Sequence, residues 1–536
     1  MSKLPLVSKL SGVTIAWGIV AIFLVKAIIL GFWIVPLWDI PDEIGHFAYA
    51  REIVSEGVLP LGQAKIDGDI LANLYQKPTY QPENNWIAQH PPTYHILAGA
   101  IWKIATCFTD NPEWLFRAPR LASAIFGALT LLFIYKLIKV FHFGEKTSLA
   151  VMVIFSSIPM FSWLSSGTNH DTMVAMLGTA STYFFVLFFQ NRKIRDAYFS
   201  VFLMSLAAAT KITGLVVLAP LVGLLLLEIP CCSAQQWFKR AVLLISVALT
   251  LPGVWLIRNW IVYGDPFALA SRLLPFAEKG TFLSKFCSPK LELSTPFFSF
   301  LQSQPAIEHF FVNFVGLMGG FGKGLGQSAM FQIQYPFLTL YELTGVFICL
   351  LAFTWYLKTI VLSFSQKNTN NVNFSIIDKV YTHSGRLSTY GIFSVLITAG
   401  CVLVFSHAII SSTVASWLII PLFTLIFAVC FLAISVFVVP IQSKQRQIFY
   451  CALIFAFFST VLFLRIHKGF LSWGVPRATH GRYYYPLLGI FIVGFIVPGL
   501  LMLGRFAERI ALPVAIVICF NEAAFYFIKV LPYTMK

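Results

Sequence analysis

The chain has 536 residues, of which 58% are hydrophobic and only 11% charged, with a formal net charge of +16. A soluble domain carries about 25% charged residues, so a soluble fold is excluded and the composition reads as a polytopic membrane protein. Its basic residues fall mainly in short gaps between apolar runs, which assigns the positive charge to membrane topology and argues against a nucleic-acid partner.

Apolar runs of about 20 residues, the length a bilayer requires, lie at roughly 13–37, 118–140, 148–166, 172–190, 197–211, 212–229, 241–261, 337–361, 388–410, 414–439, 447–464, 483–503 and 510–530. The expectation is therefore an all-α bundle of about thirteen transmembrane helices. The first run is too long for a cleavable signal and no small-residue cleavage site ends it. The runs 197–211 and 212–229 adjoin at Lys211-Ile212-Thr213-Gly214 and read as a hairpin or one kinked unit. Nine Cys are scattered, with Cys231-Cys232 the only close pair, so no disulfide framework and no Cys-based metal site is expected. No internal repeat of the kind found in many transporters is visible.

Residues 92–108 decide the topology. They are apolar, short and interrupted by Lys103. Laid along the interface instead of across the bilayer, they put Lys136, Lys139 and Lys146 on the inner side. Arg192, Lys193, Arg195, Lys239, Arg240, Lys444, Arg446, Arg505 and Arg509 then follow them there, the positive-inside pattern. The acid-rich stretch 38–117 becomes the first external loop, with 262–336 and 465–482 as further external loops. The inner loop 362–387 reads as a flexible linker. The expected organisation is a catalytic membrane module over 1–266, an external loop region over 267–336 and a C-terminal bundle over 337–536.

Several polar constellations gather at the external ends of the spans, where ionisable groups are functional candidates by default. Asp42-Glu43-Ile44-Gly45-His46-Phe47 follows the first span; after Pro41, a favourable first helical residue, helical spacing puts an acid on one face with His46. A carboxylate held there suits a general base or, equally, a helix-start acid favoured by the macrodipole. His90-Pro91-Pro92 fixes a boundary that brings His90 to the same loop, as a site residue or a structural turn. Asp171, after His170, either caps the next helix or delivers a second carboxylate to this face. Lys211 is a cation on the side where cations are disfavoured, so it calls for an anionic partner. Arg258 sits among Trp255, Trp260 and Tyr263, as an anion ligand or an interfacial anchor. The most basic external stretch holds Arg465, His467, Lys468, Arg477, His480 and Arg482, the last leading into Tyr483-Tyr484-Tyr485-Pro486. Arg forks there match phosphate oxygens; headgroup anchoring is the other reading. Lys26, near the middle of the first span, calls for a partner inside the bundle or a water-filled cavity.

Asp42-Glu43-x-x-His46-Phe47, then His90-Pro91-Pro92-Thr93-Tyr94, then Arg120-Leu121 opening the next span, resemble the protein O-mannosyltransferases and the lipid A aminoarabinose transferases. Both belong to the GT-C superfamily of lipid-linked-sugar glycosyltransferases. With Arg258-Asn259, Tyr263-Gly264-Asp265-Pro266 and Gly481-Arg482-Tyr483 added, the pattern is similar to a family of bacterial multi-pass proteins of that fold. The resemblance is strongest over 1–266 and returns near 481–486. It implies a GT-C-like bundle with helices lying along the external membrane surface. It places Asp42, with Glu43 beside it, at the catalytic acidic position and Asp171 at a second acidic position. His46, His90, Lys211, Arg258, Arg482 and Tyr483 become expected substrate-binding residues, with Lys211 and Arg482 at lipid-phosphate positions. His90 departs from the aminoarabinose transferases, which have another residue before Pro-Pro, and 270–335 aligns with nothing.

The expected activity is transfer of a sugar from a polyprenyl-phosphate donor to a hydroxyl of an acceptor glycan, lipid or protein, on the external side of a bacterial inner membrane. Membrane lipids are the surrounding partners. No cofactor is required by the motifs, and a divalent metal gathered by Asp42, His46, His90 and Asp171 stays open. Two rival classes use the same charges without chemistry: a transporter or flippase of lipid-linked saccharides, and a structural membrane partner.

Overall fold

The first span starts on Ser11, whose hydroxyl accepts from Thr14 N and so satisfies one of the free N–H groups at a helix start. In the computed structural model, the described residues are 11–72, 84–230, 233–266, 268, 337–369, 443–473 and 481–534. Helix α1 (Gly12–Ile29) ends in a wider π-helical turn, Leu30–Ile34, and Pro36 prevents its continuation. The carbonyls it leaves unpaired face two arginines. Arg120 donates to Gly31 O, Val35 O and Pro36 O, and Arg117 donates to Gly31 O and Val35 O. Cations suit the negative end of a helix, and each bond satisfies a carbonyl the helix cannot.

The chain then forms a small layer of short helices, the one expected to be external. Helix α2 (Glu43–Ser55), a short α3 (Gly68–Ala72), a 3-10 turn at Trp86–Gln89, α4 (Thr93–Ala105) and α5 (Pro112–Arg117) follow in order. Trp38, Ile44, Phe47, Tyr49, Leu61, Ile70, Trp86 and Phe116 give this layer its own apolar core. Helices α2 and α4 touch closely because Gly99 has no side chain: a Cβ there would collide with the Ala50 carbonyl. At 13 residues α4 is about 20 Å long, against about 30 Å of hydrocarbon, so it is too short to cross the bilayer alone.

The membrane bundle continues with α6 (Arg120–Val140), α7 (Glu145–Ser156), α8 (Pro159–Ser165), α9 (Asp171–Asn191), α10 (Ile194–Ala208), α11 (Gly214–Glu228) and α12 (Ala234–Tyr263). After residues outside the description come α13 (Phe337–Thr369), α14 (Ser443–Trp473), α15 (Gly481–Leu503, opening on a 3-10 stretch) and α16 (Arg505–Phe525). Among the described residues there is no sheet, only an isolated bridge between Lys65 and Asn84. Seven described helices are long and apolar enough to cross a membrane, and the bent pair α7–α8 would make an eighth span. The expected spans 388–410 and 414–439 lie outside the described residues. The chain is a helical, multi-pass membrane protein.

One expected span has a different form, and an adjoining pair takes the first of its two expected forms. The run 148–166 is two helices bent by 66°, because Pro159 cannot donate and the chain breaks after Ser156. The runs 197–211 and 212–229 are the hairpin α10–α11, each arm 15 residues. Arg192, before α10, and Glu228, at the end of α11, are joined at 2.9 Å, so the two arms run in opposite directions and Lys211 sits at their turn.

The break between α7 and α8 frees carbonyls inside the bundle, and polar side chains from distant segments meet them. Lys26 of α1 donates to Ser156 O and pairs with Glu522 of α16 at 3.0 Å, while Ser162 donates to Glu522 at 2.9 Å. Tyr341 of α13 donates to Ser157 O at 2.7 Å. Lys26 thus has the partner inside the bundle that its depth demanded.

Arg120 also meets Glu43 of α2 in a two-pronged ion pair, both bonds 2.8 Å long and both side chains 1% exposed. Removing one member of a buried pair strands the other charge and costs about 3–5 kcal/mol. Arg120→Met is expected to lower the thermal midpoint of the purified protein strongly, and adding Glu43→Gln in the same chain to recover part of it. Equal midpoints for wild type and Arg120→Met would sever the link drawn here between α1, α2 and α6.

Candidate functional site

Asp42 occupies the residue before α2 with φ 66°, in the left-handed region. Trp38, four residues earlier, has φ 67°. Such backbone persists in a bulky residue only where surroundings hold it. Here Trp38 N donates to Glu43 at 3.0 Å, and its ring packs on Phe47 and Phe116. The turn between them throws the Asp42 side chain away from the helix it precedes and toward α15.

There Arg482 donates to Asp42 Oδ2 at 2.6 Å and to Pro41 O at 3.2 Å. The amino group that reaches Pro41 also lies 3.8 Å from Asp171 Oδ2. Asp171 opens α9, and its Oδ1 takes Lys211 Nζ at 2.5 Å. Four charged groups separated by up to 440 positions in the chain therefore form one line: Asp42, Arg482, Asp171, Lys211. Tyr483 lies under both cations, its ring 5.3 Å from Lys211 Nζ and 5.7 Å from the Arg482 guanidinium carbon. Lys211 has the anionic partner its place in the sequence called for. The two acids differ in access: the Asp42 side chain is 31% exposed and that of Asp171 1%.

Burial by itself would raise the Asp42 carboxyl, but the charge of Arg482, helped by its hydrogen bond and that of Trp86 Nε1, outweighs it and holds the group at about 2. Asp42 is an anion, and a weak base while Arg482 grips it.

Glu43 is occupied. Besides Arg120 it accepts from Trp38 N and from Thr168 N at 2.9 Å, so four bonds fill its two oxygens and fasten α2 to the turn before α9. Arg258 donates to Leu59 O, Asn259 and Tyr263 and stacks on Trp255, while Tyr263 OH accepts from Leu61 N. Its hydrogen bonds fasten the start of the external loop and do not go to the carboxylates. Of the basic residues in the stretch 465–482, only Arg482 has its side chain within the description. The side chains of Arg465, His467 and Lys468, and residues Arg477 and His480, lie outside the described residues.

Beneath Asp42 is a cluster of histidines. His46 Nδ1 and His95 Nε2 are 2.9 Å apart with near-parallel rings, and the His170 ring meets His46 edge-on at 4.5 Å. His90, half-buried, lies 4.8 Å from His170, ring to ring. Burial pushes the His46 imidazole down to about 4 against the pull of Asp42 and Asp171, and carries His95 and His170 well below the usual value. All three are neutral at physiological pH. His95 and Trp86 escape a reading from sequence. His95 sits in an amphipathic helix with no acid near it in the chain, and only the absence of a side chain at Gly99, one turn on, hints that its face meets another helix.

Residues 89–256, about a third of the chain, match the family model described as dolichyl-phosphate-mannose-protein mannosyltransferase. This segment is thus glycosyltransferase-like, and the match falls on one of the families whose motifs the chain resembles. Two solved structures are similar in outline: ArnT from Cupriavidus metallidurans in the apo state and the same protein bound to undecaprenyl phosphate. They are 15% and 14% identical, cover 97% of this chain and 78% and 77% of theirs, and have TM-scores of 0.37 and 0.36. No curated protein matches the chain.

A carboxyl held below its unfolded value stabilises the fold above that value, 3.8, and loses its contribution as pH falls through about 2. Asp42→Asn is therefore expected to lower the thermal midpoint at about pH 7, with the deficit shrinking as the pH is taken below 3.8. A deficit that stays constant across that range would mean Arg482 does not hold Asp42 as an anion.

Proposed function

We propose that the chain is a membrane glycosyltransferase that moves a sugar from a polyprenyl-phosphate donor to an acceptor hydroxyl on the external side of the membrane, in a bacterial inner membrane. The observation that carries this is the line of alternating charges in which the accessible acid, Asp42, shares Arg482 with a sealed Asp171–Lys211 pair. The family description matched by residues 89–256 names a dolichyl-phosphate-linked mannose as donor, the same class of compound. Orientation follows from charge: Lys139, Arg192 and Arg446 gather at the end of the bundle opposite Asp42, around Glu145 and Glu228, the distribution of an inward face.

In this reading the donor phosphate binds at Arg482 and Lys211, whose charges are preorganised by Asp171 and cost little to align during reaction. A phosphate drawing Arg482 toward itself loosens the grip on Asp42, which rises toward ordinary carboxylate basicity as the donor arrives. Asp42 takes the proton of the acceptor hydroxyl. That oxygen forms the new bond to the anomeric carbon, and the bond from that carbon to the phosphate oxygen breaks. The leaving polyprenyl phosphate departs with the electron pair, stabilised by the same two cations. One displacement inverts the anomeric centre, through charge development like that of other glycosyl transfers. Glu43 and Arg120 hold α2 so that Asp42 faces Arg482, and Asp171 orients both cations. His46 and His90 line the floor beside the acceptor, Tyr483 backs the two cations, and Arg258 steadies the loop over the site. Residues 1–266 would then form the catalytic module with its external loop 38–117, 267–336 a further external region and 337–536 the supporting bundle.

The test uses the full-length protein in lipid nanodiscs with radiolabelled polyprenyl-phosphate hexose and pentose, following loss of donor. Asp42→Asn is expected to lower turnover by about 10²–10⁴-fold while keeping the binding of polyprenyl phosphate, and Arg482→Gln and Lys211→Gln to weaken that binding. Undiminished turnover in Asp42→Asn would remove the base. Tight binding of the lipid by wild type, with no turnover of any donor, would favour a carrier of lipid-linked saccharides.

A further inference from the structure

The three most buried histidines come from three separate elements. His46 lies on α2, His95 on α4 and His170 in the turn before α9, with exposures of 1%, 0% and 2%. A ligating atom of each lies within 4.8 Å of those of the other two. None of the three is held there by histidine contacts alone. Helix α2 is fastened by Glu43 to Arg120. Helix α4 is fastened by Thr93 to Ala209 O and by Tyr94 to Ser123. The turn is fastened by Asn169, which donates to Leu164 O and whose own N–H reaches Tyr94. The rings are thus brought together by a scaffold that exists without them, the condition for a preorganised binding site.

Hydrogen bonding does not exhaust these rings. A neutral imidazole has one donor and one acceptor nitrogen, and the contact between His46 and His95 uses one of each. His170 Nδ1 is buried with no hydrogen-bond partner, and so is Asp171 Oδ2 beside it. A buried polar atom left unpaired costs about 1–3 kcal/mol. Asp171 Oδ2 faces the Arg482 guanidinium at 3.8 Å; the His170 nitrogen, whose ring lies against those of His46 and His95, has no such counterpart, and a bound cation would satisfy it. Three nitrogens around a tetrahedral zinc, at about 2.05 Å each, are about 3.3 Å from one another. The His46–His95 pair, at 2.9 Å, needs to open by only a few tenths of an ångström. The other ring nitrogen of His170, Nε2, lies 3.7 Å from Asp171 Oδ1, too far for a hydrogen bond but near enough for the carboxylate's charge to favour a cation at the cluster.

We infer that His46, His95 and His170 form a binding site for one divalent transition metal of the zinc class, with an exchangeable oxygen ligand in the fourth position. Three imidazoles and no thiolate suit zinc, or cobalt in its place, over magnesium or calcium, which take oxygen ligands. Three protein ligands with one open position is the arrangement of zinc sites that act on a bound oxygen rather than of closed structural ones. The site borders the line Asp42–Arg482–Asp171–Lys211, through Asp171 and through Asp42, whose carbonyl accepts from His46 N at 3.0 Å, but none of its three ligands belongs to that line. Its existence does not depend on the transfer reaction.

The experiment is metal analysis on the full-length protein, purified with its affinity tag removed, loaded with zinc and passed through gel filtration. About one zinc per chain is expected to stay bound to wild type and to His142→Gln, which alters an exposed histidine far along the chain. Retention is expected to fall to under about a tenth in His95→Gln and in His170→Gln. Cobalt added to metal-stripped wild type is expected to give the intense visible bands of a four-coordinate site. That measurement needs no variant to fold. No retained zinc in wild type, a pale octahedral cobalt spectrum, or equal zinc in well-folded His95→Gln would overturn the assignment and leave the cluster a hydrogen-bonded triad. Donor turnover is not read in any arm, so failure here and failure of the transferase reading are told apart.

Discussion

The Arg120–Glu43 pair is the contact on which the rest of the site depends. Two charges removed from water are stable only when the geometry is good and the remaining donors and acceptors are filled. Both conditions are met here. Arg120 spends its other hydrogens on Gly31, Val35 and Pro36 carbonyls at the end of α1, and Glu43 accepts Trp38 N and Thr168 N. One ion pair therefore decides where the first span stops, where α2 begins and how the turn before α9 lies. Asp42 is the next residue to Glu43, and Asp171 lies three residues beyond Thr168. The two acids of the site are hung from a bond that neither makes.

The membrane makes this economy necessary. A helix that ends or breaks within the bundle exposes carbonyls that no water reaches, so irregular backbone survives only where protein groups satisfy it. Two such places among the described residues shape the bundle. At the end of α1 the donors are Arg117 and Arg120. At the α7–α8 break they are Lys26, Ser162 and Tyr341, which reach the Ser156 and Ser157 carbonyls. The first gives an exit to the external layer. The second sits deep in the bundle and draws in Glu522 of α16, fixing the C-terminal helix to the front of the molecule.

What the sequence made legible follows from the same physics. Lys26 and Lys211 were conspicuous because a cation in apolar surroundings must have a partner, but nothing local said that the partners are Glu522 and Asp171. Pro41 and the acids signalled a helix just after the first span, but its start falls at Glu43, two residues past Pro41, and the first span stops at Ile34, short of the expected 37. The left-handed turn at Asp42 was not, since it is held by contacts made across the fold. Hydropathy alone read 148–166 as one span, because a 66° bend leaves the apolar count unchanged. Glu43 and Asp42 are neighbours of the same type, and only their partners separate them: one is filled by four hydrogen bonds, the other is held by Arg482 and Trp86 and open to solvent. His95 was hidden because its meaning lies in the crossing of α2 and α4, where Gly99 lets His46 and His95 touch one turn before Ala50 does.

The difference in exposure between the two acids carries a consequence for how charge is distributed during any reaction at this face. Asp171, sealed and bonded to Lys211, is a fixed counter-ion. Asp42 is partly exposed and shares Arg482, its one charged hydrogen-bond partner among the described residues, with that fixed charge. Arg482 therefore stands between an anion that cannot move and one that faces the solvent. An incoming anion competes with Asp42 and not with Asp171 for the guanidinium, because displacing Asp171 would strand a buried charge at a cost of several kcal/mol, whereas a half-exposed carboxylate is rehydrated. Under the proposed transfer reaction, binding of an anion and release of Asp42 would be one event, and the line of charges would convert the arrival of the donor phosphate into a rise in basicity at Asp42.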